Sequence, residues 1–202
     1  MGITPQQFSQ LQERLKTGRR APEPVMERVS PMSPKAQIQI LGLDPSLRGT
    51  GYGIIRAGKP HAVALAYGVI TCPASWERSR CLVKIHQTLR EIIQQHQPTV
   101  CVVEGLFYAQ NLQTALTMGE ARGAAIAAIA EAGAEIIEIA PRKVKQAIVG
   151  YGAAQKSAVA KMVQRMLQLA EEPPADAADA LALALTHAQE AGRYSLNPRK
   201  RI

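Results

Sequence analysis

Aromatic residues are scarce in this 202-residue chain, because Phe, Trp and Tyr together make up only 4% of it. A folded core must therefore be built from Ala, Val, Leu and Ile, and such small side chains favour a compact α/β packing. Hydrophobic residues make up 47% and charged residues 20%, which is ordinary for a globular protein and excludes a disordered chain. The length suits one domain with an additional tail.

Cysteine and histidine are also few, with three and four residues. Cys72, Cys81 and Cys101 have the spacing of neither a zinc site nor a redox pair, and the histidines lie far apart. An odd number of cysteines without a signal peptide predicts a protein of the reducing cytoplasm. The sequence has no run of 18 or more apolar residues, which predicts that no segment spans a membrane.

Acidic residues are fewer than basic ones, 16 against 24, and the net charge is +8. Residues 1–37 carry +3 and residues 193–202 carry +4, which leaves +1 for the rest. We expect residues 1–37 to form a basic extension, flexible apart from a short helix, because residues 21–34 are rich in proline. Residues 192–202 are expected to form a basic tail. This pattern is typical of a polyanionic partner, most often nucleic acid, although charged tails that only aid solubility look the same.

The remaining residues, 38–191, alternate between strand and helix patterns. Three strands in a meander are expected at 37–44, 52–56 and 62–71, with a turn at 45–53. Further strands are expected at 99–104 and 135–139, the first of them buried. Helices are expected at 75–96, 112–132, 141–149, 155–169 and 176–191. This order predicts an α/β fold in which a mixed five-stranded sheet is flanked by helices.

Four acids stand out by their position. Asp44 ends the first strand, Glu104 ends the buried fourth strand, and Asp176 and Asp179 open the last helix three residues apart. If the two strands are parallel neighbours, their acids emerge side by side, and the small residues around Asp176 and Asp179 let that helix approach the sheet. Four carboxylates in one place repel each other unless cations compensate, and hard oxygen ligands select Mg²⁺ or Mn²⁺. Two such ions form the clamp used in phosphoryl transfer.

Each acid taken singly also has an ordinary interpretation. Asp176 could be a charge favoured by the helix dipole, and Glu104 could form a simple salt bridge. The combination of two strand-end acids with an Asp-x-x-Asp pair indicates a site more strongly than any one of them.

Five motifs, in order from about residue 38 to 188, resemble those of the RuvC crossover-junction endodeoxyribonuclease family. The first is LGLDPSLRGTGYG at 41–53, and the second is EGLF at 104–107 followed by Asn111. The third is GEARG at 119–123. The fourth combines VKQ at 144–146, VGYG at 149–152 and Lys156-Ser157, and the fifth is ADAADALALALTH at 175–187.

The resemblance implies an RNase H-like fold and a homodimer that makes paired symmetric nicks in a four-way DNA junction, the Holliday junction, during recombination and repair. It implies that Asp44, Glu104, Asp176 and Asp179 are catalytic and bind Mg²⁺, two ions per active site, with Mn²⁺ as a substitute. It further implies a branch-migration complex of RuvA and RuvB as a partner. DNA-binding residues are expected at positions that match the family's motifs: Phe107, Lys145, Lys156, Arg48 and Arg122.

Each of these five residues also has a simpler explanation. Phe107 would stack on bases near the crossover but could instead anchor its loop, and the basic side chains could be solvated surface charges. Ser46 stands where many family members have Gly, so a turn that needs a positive φ there would be strained. We therefore expect the turn after Asp44 to differ from the usual one. The extension at 1–37 is additional to the family's usual form.

Three other classes of protein share some of these features. Another RNase H-like nuclease, such as the YqgF type that acts on RNA or a ribonuclease H, would also carry strand-end acids. A non-catalytic junction-binding module would have no use for four clustered acids beside DNA. An actin-like ATPase also has a strand-end Asp in its first hairpin, but no second Gly-rich phosphate loop is evident here.

Overall fold

The computed structural model describes residues 38–105, 111–191 and 200–202. Six strands lie in this part of the chain: β1 (Gln39–Asp44), β2 (Gly49–Arg56), β3 (Val63–Thr71), β4 (Val100–Glu104), β5 (Glu135–Ile139) and β6 (Lys200–Arg201). The same residues include five helices: α1 (Arg78–His96), α2 (Leu112–Glu131), α3 (Pro141–Val149), α4 (Lys156–Leu167) and α5 (Ala175–Glu190). None of these helices combines the length and the apolar character needed to cross a membrane.

The strands form one mixed sheet in the order β3-β2-β1-β4-β5-β6. The meander β1 to β3 is antiparallel, whereas β4 pairs in parallel with both β1 and β5. The predicted mixed sheet flanked by helices is therefore confirmed, and its five long strands are those expected from the sequence.

A sixth, two-residue strand extends the sheet beyond the five that were predicted. β6 pairs antiparallel with β5, and Arg201 Nε lies 2.8 Å from Glu135 Oε1. The physical reason is that β5 would otherwise be an edge strand with unpaired backbone groups, which favour pairing with any extended segment nearby. A pairing of two residues has no hydrophobic pattern by which the sequence could predict it.

Helices cover both faces of the sheet and bury two clusters of aliphatic side chains. On one face, Leu41 and Leu43 of β1 pack with α1 and α2. On the other face, Ile40 packs with residues of α3, α4 and α5. Among the described residues, the buried core contains Ile, Leu, Val, Ala and Cys but no aromatic residue, as the composition predicts.

The predicted element bounds agree with the structure to within three residues, and the start of β2 is among the largest differences. β2 starts at Gly49, inside the segment that was predicted to be a turn. This strand contains three glycines, Gly49, Gly51 and Gly53. They are accommodated in a strand because α5 packs against it so closely that a side chain at these positions would meet the helix. Glycine-rich sequence is typical of turns, which explains why the prediction was wrong for these residues.

Candidate active site

Asp44 and Glu104 lie side by side at one edge of the sheet. β1 and β4 are parallel with Leu43 opposite Val103, so both strands end in their acid at the same level. The two carboxyl groups share a side-chain hydrogen bond. The structure therefore brings together the two strand-end acids that the sequence predicted as partners.

Asp176 and Asp179 reach the same edge from the first turns of α5. This helix lies on β1 and β2, where glycines remove the side chains that would hold it away. A Cβ at Gly42 would overlap the backbone of Ala180, and one at Gly51 would overlap the backbone of Asp176. Gly42 and Gly53 are paired neighbours in the ladder between β1 and β2, and they form one smooth surface for the helix.

The charges of these acids act on one another. Burial, together with the charges of Asp179 and Asp176, raises the pKa of Asp44. A hydrogen bond with Glu104 and the charge of Lys156 lower it, but the net effect is a raised pKa. Burial and the nearby charge of Asp44 raise the pKa of Glu104 to about 8. A cluster of this kind holds its protons more tightly than isolated carboxyl groups do, and it favours the approach of a cation.

Lys156 provides a positive charge within the cluster. Its Nζ lies 2.9 Å from Asp179 Oδ2, and this hydrogen bond is the main cause of the raised pKa of Lys156. Lys145 and Lys156 line one cleft of about 150 Å³ together with Glu104 and Asp179. A second cleft of about 140 Å³ is lined by Asp44, Glu104 and Arg122 among others. Asp44, Glu104 and Asp179 thus line two neighbouring clefts, and one of these clefts is also lined by two lysines.

The turn that follows Asp44 is held by Thr50, which is fully buried. Thr50 Oγ1 donates to the carbonyl oxygen of Ser46 at 2.6 Å and accepts from its N–H at 3.2 Å. Ser46 is not among the residues with positive φ, so the serine fits here without backbone strain.

The remaining candidate residues occupy different environments. The guanidinium of Arg48 donates to the carbonyl oxygens of Pro73 and Trp76 at 2.5 and 3.0 Å, which ties β2 to the segment before α1. Arg122 is buried, and its guanidinium contacts the backbone of Glu104 and the side chain of Glu138. Phosphate contacts by Arg48 and Arg122 stay predictions. Phe107 lies outside the described residues.

The donor chemistry of the site fits a divalent cation. All four acids offer hard oxygen ligands, and burial, together with the charges of neighbouring acids, raises the pKa of Asp44 and of Glu104. Within the described residues, however, no three His, Cys, Asp or Glu side chains are grouped so that they could hold one ion. Binding by three of these acids therefore requires side-chain movement, and one oxygen of Asp179, Oδ2, now contacts Lys156.

The sequence analysis missed five contributors to this site, three glycines and two polar residues. Three glycines, Gly42, Gly51 and Gly53, determine how closely α5 approaches the sheet. The alternation of Gly49, Gly51 and Gly53 in the sequence indicates a strand that has no side chains on one face. Thr50 and Glu138 had no signal, because a buried polar contact depends on tertiary structure.

Comparisons with known proteins cover the core of the chain. The family model described as "Crossover junction endodeoxyribonuclease RuvC" matches residues 40–187. The protein of that name from Akkermansia muciniphila is 47% identical over 150 residues, which are 74% of this chain and 90% of the relative. The one from Pasteurella multocida is 48% identical over 149 residues, 74% of this chain and 78% of the relative.

Solved structures agree with these sequence matches. RuvC of T. thermophilus in complex with a Holliday junction substrate is 33% identical with a TM-score of 0.74, covering 82% of this chain and 99% of that one. The yeast mitochondrial Holliday junction resolvase Ydc2, at 12% identity and a TM-score of 0.53, shares the fold over 76% of this chain and 80% of that one. The acids at the ends of β1 and β4 and at the start of α5 all fall within the residues matched by the family model. This chain belongs to the RuvC family of crossover junction endodeoxyribonucleases.

Proposed function

We propose that this chain resolves Holliday junctions by paired symmetric nicks, as an endodeoxyribonuclease that uses Mg²⁺. The observation that carries the proposal is the meeting of four acids at one sheet edge. Asp44 and Glu104 share a hydrogen bond, and Asp179 acts electrostatically on both of them. Family membership then supplies the class of substrate for a site with this chemistry.

The four acids would hold two divalent cations, with Mn²⁺ as a substitute for Mg²⁺. When bound, such cations supply Lewis-acid activation of water and stabilise charge at the leaving 3′ oxygen of a phosphodiester. Asp44 and Glu104 are well placed to share a cation, because their carboxyl groups already contact each other. Hydrolysis of this kind leaves a 5′-phosphate and a 3′-hydroxyl, which a ligase can join.

Basic and aromatic side chains would bind the DNA around these acids. Lys156 and Lys145 line the cleft beside Glu104 and Asp179, where their charge can meet a phosphate. Lys156 is mostly exposed and could exchange Asp179 for a phosphate oxygen. Arg48 is exposed immediately before β2 and is proposed to contact a more distant phosphate. We place Phe107, which follows β4 by three residues, on the bases at the crossover, where stacking contributes roughly 1–3 kcal/mol per base.

A homodimer would match the near two-fold symmetry of a junction and place one site on each of two equivalent strands. Helix α2 supports this part of the proposal, since Leu112 and Leu116 lie one turn apart and are 76% and 53% exposed. We further propose that the dimer works in the cytoplasm with a RuvA–RuvB branch-migration complex.

The proposal is tested by incubating the chain with Mg²⁺ and three substrates: a synthetic four-way junction, a linear duplex and an RNA–DNA hybrid. We expect paired symmetric nicks in the junction alone. Asp44→Asn should abolish cleavage and leave junction binding largely intact, because it removes a metal ligand and adds no bulk. Glu120→Gln, which changes an exposed acid on α2, is the matched control and should cleave like the wild type.

Other outcomes would contradict the proposal in different ways. Cleavage of the hybrid but not of the junction would indicate a ribonuclease. Tight junction binding without cleavage would indicate a binding module. Loss of both binding and cleavage in Asp44→Asn would indicate that Asp44 has a structural role.

A further inference from the structure

Arg122 is a buried cation that no step of the proposed reaction uses. It lies on α2 and is 7% exposed. Its Nη1 donates to the carbonyl oxygen of Glu104, and its Nη2 donates to Glu138 Oε2 at 2.5 Å. Both terminal nitrogens of the guanidinium thus donate to residues of β4 and β5, two neighbouring parallel strands.

These contacts join three elements at the point where Glu104 leaves the sheet. Glu104 is the last residue of β4, and Glu138 lies on β5 opposite Val103. The next peptide is held from β5, because the N–H of Gly105 donates to the carbonyl oxygen of Ile139 at 2.8 Å. The peptide group between Glu104 and Gly105 is therefore held at both of its polar atoms. Arg122 binds its carbonyl oxygen, and β5 binds its N–H.

The orientation of that peptide group determines where the Glu104 side chain points. A strand end with only one tethered group can rotate about its last dihedral angles, and the carboxyl group would move relative to Asp44. A planar guanidinium has donors at fixed positions and can hold two acceptors at once, which a lysine ammonium cannot do with the same geometry. Arg122 also lines the cleft that contains Asp44 and Glu104.

We propose that Arg122, held by Glu138, is a positioning residue that fixes the Glu104 carboxylate against Asp44 for cation binding. The inference rests on the proposed function, in which Glu104 is a metal ligand. It differs from the phosphate contact implied by the family resemblance. A phosphate contact would compete for a guanidinium whose two terminal nitrogens already donate to Glu104 and Glu138, whereas positioning uses the contacts that exist.

The test compares Arg122→Lys with Arg78→Gln as the matched control. Arg78 also forms an arginine–glutamate pair with a residue of α2, but that pair is exposed and has a distance of 3.4 Å. Three quantities are measured besides the melting temperature. They are the dissociation constant for Mn²⁺ by calorimetry without DNA, the salt dependence of junction affinity, and the single-turnover cleavage rate with Mg²⁺.

For Arg122→Lys we expect Mn²⁺ affinity to fall about 10–100-fold, the range typical when a partner that orients a metal ligand is lost. Cleavage at a fixed, limiting Mg²⁺ concentration should fall in parallel, and the affinity for the junction and its salt dependence should stay unchanged. Arg78→Gln should match the wild type in all three measurements. A role confined to folding would lower the melting temperature and leave the Mn²⁺ affinity of the folded protein unchanged, which would overturn the proposal.

A phosphate contact would give a different result. Junction affinity would then weaken, and the slope of its logarithm against the logarithm of salt concentration would decrease by about one. With Mn²⁺ affinity unaffected, this result would also overturn the proposal.

A second variant keeps the test usable if Arg122→Lys does not fold. Glu138→Gln preserves the size of the side chain and an oxygen acceptor at a position whose side chain is 18% exposed. It should weaken Mn²⁺ binding in the same direction but by less, because the contact between Arg122 and Glu104 remains. Unchanged Mn²⁺ affinity in a folded Glu138→Gln protein would overturn the role of the pair. Failure of the wild type to cleave a junction would instead contradict the proposed function.

Discussion

Glu104 combines the two effects that raise the pKa of a carboxyl group. It is partly buried at the end of a strand, and the charge of Asp44 lies beside it. Both effects disfavour the ionised form. The same group would be a strong ligand once a cation neutralises its surroundings. Low pH therefore favours its protonated form, whereas high pH favours the ionised form that would bind the cation.

The first prediction concerns the pH dependence of stability in the presence of a chelator. The pKa of Glu104 is about 8 in the folded protein, whereas an unperturbed glutamate has a pKa of 4.5, so between these pH values the folded state holds a proton that the unfolded state has released. The free energy of unfolding must then fall as pH rises through this window, by at most about 1.4 kcal/mol per pH unit for one proton. Asp44 contributes with the same sign, since its pKa is also raised.

Denaturant unfolding between pH 4.5 and 9 measures this slope. Glu104→Gln should flatten it, because the amide has no proton to lose, while Glu120→Gln should leave it as in the wild type. Mg²⁺ should stabilise the wild type more at pH 8 than at pH 5, since the cation favours the ionised acids. If Glu104→Gln kept the full slope, other groups would have to carry the pH dependence.

A second prediction at this scale concerns Phe107. If its ring stacks on bases, Phe107→Ala loses roughly 1–3 kcal/mol of interaction, and junction cleavage should fall about 5–100-fold with little change in melting temperature. Tyr67→Ala, which removes an aromatic side chain from the edge strand β3, is the control and should cleave normally. Removal of a buried core ring costs about 3–5 kcal/mol, so a collapse of the melting temperature would show that Phe107 anchors the fold instead.

At the scale of elements, the approach of α5 to the sheet brings the second pair of acids to the first. The sequence was sufficient to predict the strands that carry Asp44 and Glu104, because a buried strand is an apolar run and each run ends in an acid. It was also sufficient to place Asp176 and Asp179 on one helix. The depth of the contact between that helix and the sheet could not be predicted, since it depends on glycines whose role appears only when β1 and β2 are paired.

Buried polar contacts were hidden for the same reason. Arg122 was predicted to face DNA, as its motif implies, and its partner Glu138 lies on a strand 16 residues away. Nothing local in the sequence distinguishes such a pair from two solvated charges. The pairing becomes visible only when β4, β5 and α2 are assembled.

The third prediction tests the packing of α5. Gly51→Ala would place a Cβ against the backbone of Asp176, and overpacking of this kind costs about 1–3 kcal/mol. We expect the melting temperature to fall by roughly 2–12 °C. Cleavage should fall further than stability does, because a shift of about 1 Å at catalytic groups can cost around 100-fold in rate.

Gly123→Ala is the matched control for this substitution. Gly123 lies in α2, and a Cβ there would meet nothing within 4 Å. Replacing a glycine inside a helix by alanine should stabilise the protein by about 0.5–1 kcal/mol, with cleavage unchanged. If Gly51→Ala were equally harmless, α5 could shift without moving the acids, and the packing argument would fail.

At the scale of the whole molecule, the positive charge lies mainly outside the part of the chain that the family model matches. The residues between the basic ends carry only +1 of the net +8. The family model matches 40–187 and therefore includes neither the extension at 1–37 nor the tail that begins at 192. The acids and the cleft lysines all lie within the matched part, so we expect the chemistry to need neither end.

The last prediction follows from this division of charge. Removal of residues 1–36 should leave the single-turnover rate on a saturating junction unchanged, because all four acids lie within the residues matched by the family model, which do not include that segment. Junction affinity should be measured at several salt concentrations beside the full chain. If the six basic residues of the extension bind phosphates, the truncated protein will dissociate more readily and will show a shallower salt dependence, since each phosphate contact contributes close to one to that slope. A lower cleavage rate at saturation would instead place part of the catalytic machinery in the extension and contradict the division.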